Sequence, residues 1–208
     1  MASMPPRGYC AETETVIKRS RFITTVARSD SEVEARALIA KVRSRYPDAN
    51  HHCSAFRLAD AGVETARSSD DGEPAGTAGV PILGALVNAG LVNLTAVVSR
   101  YFGGIKLGAG GLTRAYAGCV SEAVVCLPRV VRVKEAIWTI HLPHAQAGRF
   151  QTGLARAEFG LVESSYDQTG VQLWFTAPGD PNPTVARLSQ GELTARLDRV
   201  EIVEKPVT

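Results

Sequence analysis

The chain has 208 residues, 45% of them hydrophobic and 21% charged, a composition that can bury a core and excludes disorder as the main state. No run approaches the roughly 18 apolar residues of a membrane-spanning helix, and the first ten residues hold no apolar stretch of the secretory-signal type, so a soluble, cytoplasmic protein with no membrane partner is expected. The net charge of +2 is unevenly placed: residues 1–134 carry 17 Lys and Arg against 12 Asp and Glu, and the remainder 6 against 9.

Residues 12–29 are rich in Thr, Val, Ile and Phe and predict two short strands breaking near Lys18–Ser20. Ser31 and Glu34 form a capping-box pair that opens a helix running to Tyr46, where Pro47 stops it. Ala35, Leu38, Ile39, Val42 and Tyr46 make its apolar stripe. A strand follows at 51–59 with a turn at Asp60–Gly62, and residues 68–79 are nearly all turn formers and predict a loop. A short apolar helix (80–89), a buried strand (91–102), a glycine-rich loop (103–111) and a helix from Leu112 to Leu127 complete this half.

Pro128 closes that helix, and residues 129–142 read as a connecting strand. From Ala136 the pattern is strand (137–142), helix (144–158), strand (161–168), strand (171–177), helix (184–193), strand (195–204), with Thr169–Gly170 as a hairpin turn. That order, β-α-β-β-α-β, is the ferredoxin-like split βαβ arrangement. The expectation is an α+β protein of two domains, 1–134 and 135–208.

The segment most able to carry chemistry is 97–118. Gly103, Gly104, Gly108, Gly110 and Gly111 lie between a buried strand and a helix start, where free N–H groups and the helix dipole favour anions. Arg100, Lys106 and Arg114 bracket them, so phosphate contact is the functional reading and a tight packing turn the alternative. The spacing fits neither a Walker A loop nor GxGxxG. A second block, Ser68 to Pro74, gathers Asp70, Asp71 and Glu73. These could hold a hard cation, although a turn-forming role is favoured because no EF-hand spacing is present. In His51-His52-Cys53 the period of two puts His51 and Cys53 on one face and His52 on the other, which argues against zinc. Cys10, Cys53, Cys119 and Cys126 contain no CxxC pair and suit a reducing compartment. In the C-terminal half, His141 and His144 lack recognisable partners, and Trp138, Phe150, Trp174 and Phe175 read as core or rim residues of a docking module. No catalytic residue, metal site or cofactor is assigned.

Several stretches are specific enough to compare with known families. Ser20-Arg21-Phe22-Ile23, His52-Cys53-Ser54-Ala55-Phe56, Ser69-Asp70-Asp71-Gly72-Glu73-Pro74 with Gly76-Thr77-Ala78-Gly79, and Arg100-Tyr101-Phe102-Gly103-Gly104-Ile105-Lys106-Leu107-Gly108 through Arg114-Ala115-Tyr116 resemble the YigZ/IMPACT family. Ser99 and Ala75 depart from it slightly, standing where Thr and Ser are usual. The resemblance implies a first domain similar to domain IV of elongation factor G and to a domain of a small-subunit ribosomal protein, followed by a ferredoxin-like domain. Eukaryotic relatives regulate translation initiation through a partner that activates a stress kinase, and the family has no established catalytic residues. The expected function is therefore a non-enzymatic factor that binds RNA or ribosomes, with Arg100, Lys106, Arg114 and Arg21 on phosphates. The alternatives are a small-molecule phosphate or nucleotide enzyme using Asp70, Asp71 or Glu73 for magnesium, and a protein–protein regulatory module.

Overall fold

The computed structural model describes residues 3–60 and 62–207. They divide into two compact units, 3–131 with 204–207, and 132–203. Each is an α+β structure built on an antiparallel-paired sheet.

In the first unit β1 (Cys10–Ile17), β2 (Ser20–Arg28), β3 (His51–Asp60), β4 (Val63–Ser69) and β5 (Leu94–Tyr101) form one sheet in the order β1-β2-β5-β3-β4, antiparallel at every junction. The helix α1 (Glu32–Arg45) starts as its sequence implies: the Glu34 N–H donates to Ser31 Oγ, and the Glu34 carboxylate accepts from the Asp30 N–H. Its Ala35 and Ile39 pack on Phe56 and Leu58. The opposite parity of β3, Cys53 and Ala55, joins Phe22, Val26, Leu94, Ala96 and Val98 beneath α2 (Gly79–Asn88) and α3 (Ala109–Val125). Period-two alternation thus covers both faces of the central strands, so β5 is apolar or small along most of its length.

The structure adds β4, where the sequence analysis places only the approach to a loop. VETARSS is exposed or half-buried throughout, so its pairing with β3 leaves no apolar alternation. The turn expected at Asp60–Gly62 is centred on residue 61, outside the described residues.

The second unit follows β6 (Val130–Leu142), α4 (His144–Arg156), β7 (Gly160–Tyr166), β8 (Val171–Thr176), α5 (Asn182–Ser189) and β9 (Arg196–Pro206). Its four strands lie in the order β7-β8-β6-β9. Ala147, Phe150 and Leu154 of α4 and Val185 of α5 cluster with Ile140, Leu142, Val171, Leu173 and Phe175. The division between the units falls within β6, and the last residues of β9 belong to the first unit, where Glu204 meets the buried Arg28 guanidinium at 2.7 Å.

Candidate nucleic-acid interface

Strand register gathers the notable segments at one end of the first sheet. Ile17 opposes Ser20, Arg21 opposes Tyr101, and His51 opposes Arg100, so the β1–β2 turn, the loop after β5 and the start of β3 are neighbours. The 70–78 loop joins them through Asp71, whose carboxylate accepts from the His52 N–H at 2.7 Å and from Arg43 at 2.7 Å.

Arg100 is not displayed to solvent. It lies on the parity of β5 that faces α3, is only 5% exposed, and donates through Nη1 to Glu73 Oε1 at 2.6 Å. The same carboxylate oxygen accepts from Tyr116 Oη at 2.7 Å. The Phe22 and Phe102 rings sit 5.4 and 5.6 Å from the guanidinium carbon, and Phe22 meets Tyr116 edge-on. This corrects the expectation of Arg100 as an exposed phosphate contact, because its charge is already met by Glu73 inside the domain. Arg100 Nε has no partner among the described residues.

The other two carboxylates of the acidic block are likewise committed. Asp70 accepts from the N–H groups of Gly76, Ala78 and Gly79 at 2.8–2.9 Å and so caps the start of α2 from a distance. Burial pushes its carboxyl up, but those three donors together hold it below the usual carboxylate range. Asp71 is lowered in the same way, with burial opposed by the His52 N–H and Arg43. Among the described residues no group of three or more His, Cys, Asp or Glu is placed to share a metal ion.

The histidines and Cys53 are integrated into this frame. His51 Nδ1–H donates to the Asp71 carbonyl, His52 Nδ1 bonds to Ser99 Oγ at 2.9 Å, and the Cys53 thiol donates to the Asp70 carbonyl. Burial, with Arg43 adding to it, lowers the His52 pKa. Burial pushes the Cys53 thiol up to about 12, far from a reactive thiolate.

The glycine loop is largely exposed and shorter than the expected 103–111, because α3 starts at Ala109 and takes Gly110 and Gly111 into its first turn. Gly108 stands at φ 71° as the N-cap of α3 and offers no side-chain acceptor to the helix. The first intrahelical bond at this end is Leu112 N–H to the Gly108 carbonyl, which leaves the amides of 109–111 directed out of the helix start. Gly104 and Gly110 are exposed and Gly111 half-buried. Gly103 serves a different purpose: a Cβ there would sit 2.1 Å from the Arg19 carbonyl carbon and oxygen, so only glycine admits this approach. Its N–H reaches Ser20 Oγ at 3.2 Å.

Lys106 and Arg114 are exposed, and among the described residues neither has an ion-pair partner. Two cations the sequence analysis did not single out join them. Lys18 and Arg19 form the two-residue β1–β2 turn at φ 45° and 66°, the primed geometry that asparagine and glycine normally supply. The turn falls where the sequence predicts the strand break, although neither residue type favours positive φ, and the conformation costs energy that the surrounding structure must hold in place. Lys18 and Arg114 border a shallow groove of about 240 Å³ floored by Ile17, Leu107 and Gly111. Arg21 differs: it is paired in fork fashion with Glu14 at 2.9 Å and lies over the Tyr101 ring.

Comparison with known proteins adds the following. A family model described as the Impact N-terminal domain matches residues 18–124. The chain is similar to IMPACT family member YigZ of Escherichia coli, 41% identical over 152 residues, which are 72% of this chain and 74% of that protein. It is similar to IMPACT family member YvyE of Bacillus subtilis, 41% identical over 157 residues, or 76% and 72% of the two chains. The crystal structure of a hypothetical protein superposes with a TM-score of 0.60 at 34% identity, covering 96% of this chain and 98% of that one. A two-domain translational regulator, Yih1, gives a TM-score of 0.41 at 30% identity over 58% of this chain, too loose a superposition to argue from.

Proposed function

The chain belongs to the IMPACT family, and from that premise we propose that it is a non-enzymatic, translation-associated factor that contacts RNA or the ribosome through the basic end of its first sheet. The observation that carries the reading is the rim of four exposed cations, Lys18, Arg19, Lys106 and Arg114, around an uncapped helix start. Backbone amides and unpaired cations together suit phosphate oxygens, and they carry no base-edge code. Phe102, 48% exposed beside them, offers a face on which an unpaired base can stack. The strand order of the second unit supports reading it as a ferredoxin-like domain. We read the first unit as similar to domain IV of elongation factor G, and a cytoplasmic setting fits both. The alternative of a magnesium–nucleotide enzyme has less support, because Asp70, Asp71 and Glu73 are each engaged by donors of the domain itself.

The test is binding of fluorescently labelled structured RNA, with co-sedimentation on ribosomal subunits, across a salt series. A Lys106→Gln/Arg114→Gln variant is expected to bind more weakly and to lower the log–log salt slope by about 1.5–2, roughly one for each phosphate no longer engaged. Unchanged affinity and slope overturn this placement of the interface.

A further inference from the structure

The second unit carries a cationic groove of its own, on the helical side of its sheet. Residues 132–203 contain seven Lys and Arg against eight Asp and Glu, so no general excess of positive charge is present. Three of those seven, Arg149 and Arg156 of α4 and Arg187 of α5, nevertheless line one groove of about 520 Å³ between the two helices. All three are exposed, and none has a hydrogen-bond or ion-pair partner among the described residues.

The walls are as informative as the charges. Gly148, Thr152 and Gly153 share the groove face of α4. Gly153 has a packing reason to be glycine, since a Cβ would come within 2.5 Å of Leu188. Gly148 has none: a Cβ there would meet nothing within 4 Å, although glycine in a helix interior is unfavourable. What Gly148 does is keep the groove floor open beside Arg149. Arg156 and Arg187 stand in the last turns of their helices, where cations also complement the helix dipole. Arg149 is mid-helix, outside the reach of that explanation. An adjoining concavity holds Glu192, which limits the positive surface on one side.

We propose that this α4–α5 groove is a second polyanion-binding surface whose ligand is the phosphodiester backbone of a nucleic acid. Arg149 and Arg156 are seven residues apart on one helix face, a separation of about 10.5 Å along the axis. That equals the rise of about three phosphates on one strand of a duplex. Three of the eight lining residues are arginines and only Leu188 and Ala157 carry apolar side chains, a lining that suits a phosphodiester backbone read by guanidinium forks. The proposal rests on the preceding reading only for the class of ligand, because the two surfaces share no residue.

The experiment measures anisotropy of a labelled 20-base-pair RNA duplex against the full-length chain over a salt series, for wild type and three variants. Arg149→Gln/Arg156→Gln/Arg187→Gln is expected to weaken binding tenfold or more and to lower the salt slope by about 2–3. Gly148→Leu keeps every charge but fills the groove, and should weaken binding at least threefold while the thermal transition is maintained. Wild-type binding by both of these variants overturns the proposal. If only Lys106→Gln/Arg114→Gln loses affinity, the groove is refuted and the loop reading stands. If only the groove variants lose it, the groove stands and the loop plays no part in duplex binding. Absence of duplex binding by the wild-type chain overturns the groove, while the loop reading is decided by the structured-RNA and ribosome assay. Polyglutamate displacing the duplex as effectively as unlabelled RNA overturns the nucleic-acid assignment in favour of an acidic protein.

Discussion

Replacing Glu73 by Ala should be among the most damaging single changes in the first unit. It strands the Arg100 guanidinium at 5% exposure, with Nε already unpartnered, and removes the acceptor of Tyr116 Oη. Breaking a buried ion pair from one side costs about 3–5 kcal/mol, because the remaining charge has neither water nor a counter-ion. For the roughly 136 residues of this unit, an unfolding entropy of about 2.1 cal/mol/K per residue gives about 0.3 kcal/mol per kelvin. The expected fall in its melting temperature is therefore about 10–17 °C. Circular dichroism or calorimetry reads that transition. Tryptophan fluorescence serves as an internal control, since Trp138 and Trp174 both lie in the second unit. The double variant Glu73→Leu/Arg100→Met removes both charges and should recover most of the loss, because an apolar pair of similar volume is often neutral. A loss below about 1 kcal/mol in Glu73→Ala, or a double variant as unstable as the two single changes together, refutes the reasoning.

Two further outcomes follow, one from each unit. Asp70→Asn should cost about 2 kcal/mol at neutral pH, since it weakens three charge-assisted bonds at the start of α2. Because Asp70 is held below the usual carboxylate range, its contribution is complete above about pH 4 and is lost as the pH falls further, so the gap between variant and wild type should close in acid. A gap that widens in acid urea titrations contradicts this sign. Gly148→Ala should raise stability by about 0.5–1 kcal/mol, as the added methyl meets only open space and the helix gains propensity. A lower denaturation midpoint would show that its glycine is structural after all.

Local signals made some elements legible and left others hidden. The start of α1 was readable because Ser31 and Glu34 act within one turn of each other, and the structure has that cap. The β-α-β-β-α-β order of the second half was readable because Val171, Leu173 and Phe175 alternate strictly with half-buried residues. β4 was hidden because neither of its faces is apolar. Arg100 was visible as a cation, but its burial depends on Glu73, 27 positions earlier, and Tyr116, 16 positions later, and no local pattern joins the three. One clue was available: an arginine near the end of a strand buried almost throughout requires an internal counter-charge. The break between β1 and β2 was legible at Lys18–Ser20 and the turn lies there, but the part Lys18 and Arg19 play in the basic rim was hidden, because Lys106 and Arg114 lie about 90 positions away and only the fold brings them together.

The inner ion pair and the outer cations act together. Arg100 and Glu73 tie the strand that ends at Tyr101 to the 70–78 loop, Asn50 Oδ1 takes the Phe102 N–H at 2.7 Å, and Gly103 presses its backbone against the Arg19 carbonyl. Each of these interactions fixes a segment near the exposed cations without lending a charge to the surface. Such preorganisation lowers the ordering cost of binding, whereas the salt slope depends only on how many phosphates are engaged. Contact and positioning can therefore be separated. Gly103→Ala must move the Arg19–Ser20 backbone away from a Cβ and should cost about 1–3 kcal/mol in stability. It should weaken RNA binding several-fold while leaving the slope of log affinity against log salt unchanged, in contrast to Lys106→Gln/Arg114→Gln. If Gly103→Ala shifts the slope as strongly as that pair does, the strained turn is no scaffold for the rim, and Gly103 lies among the phosphate contacts themselves.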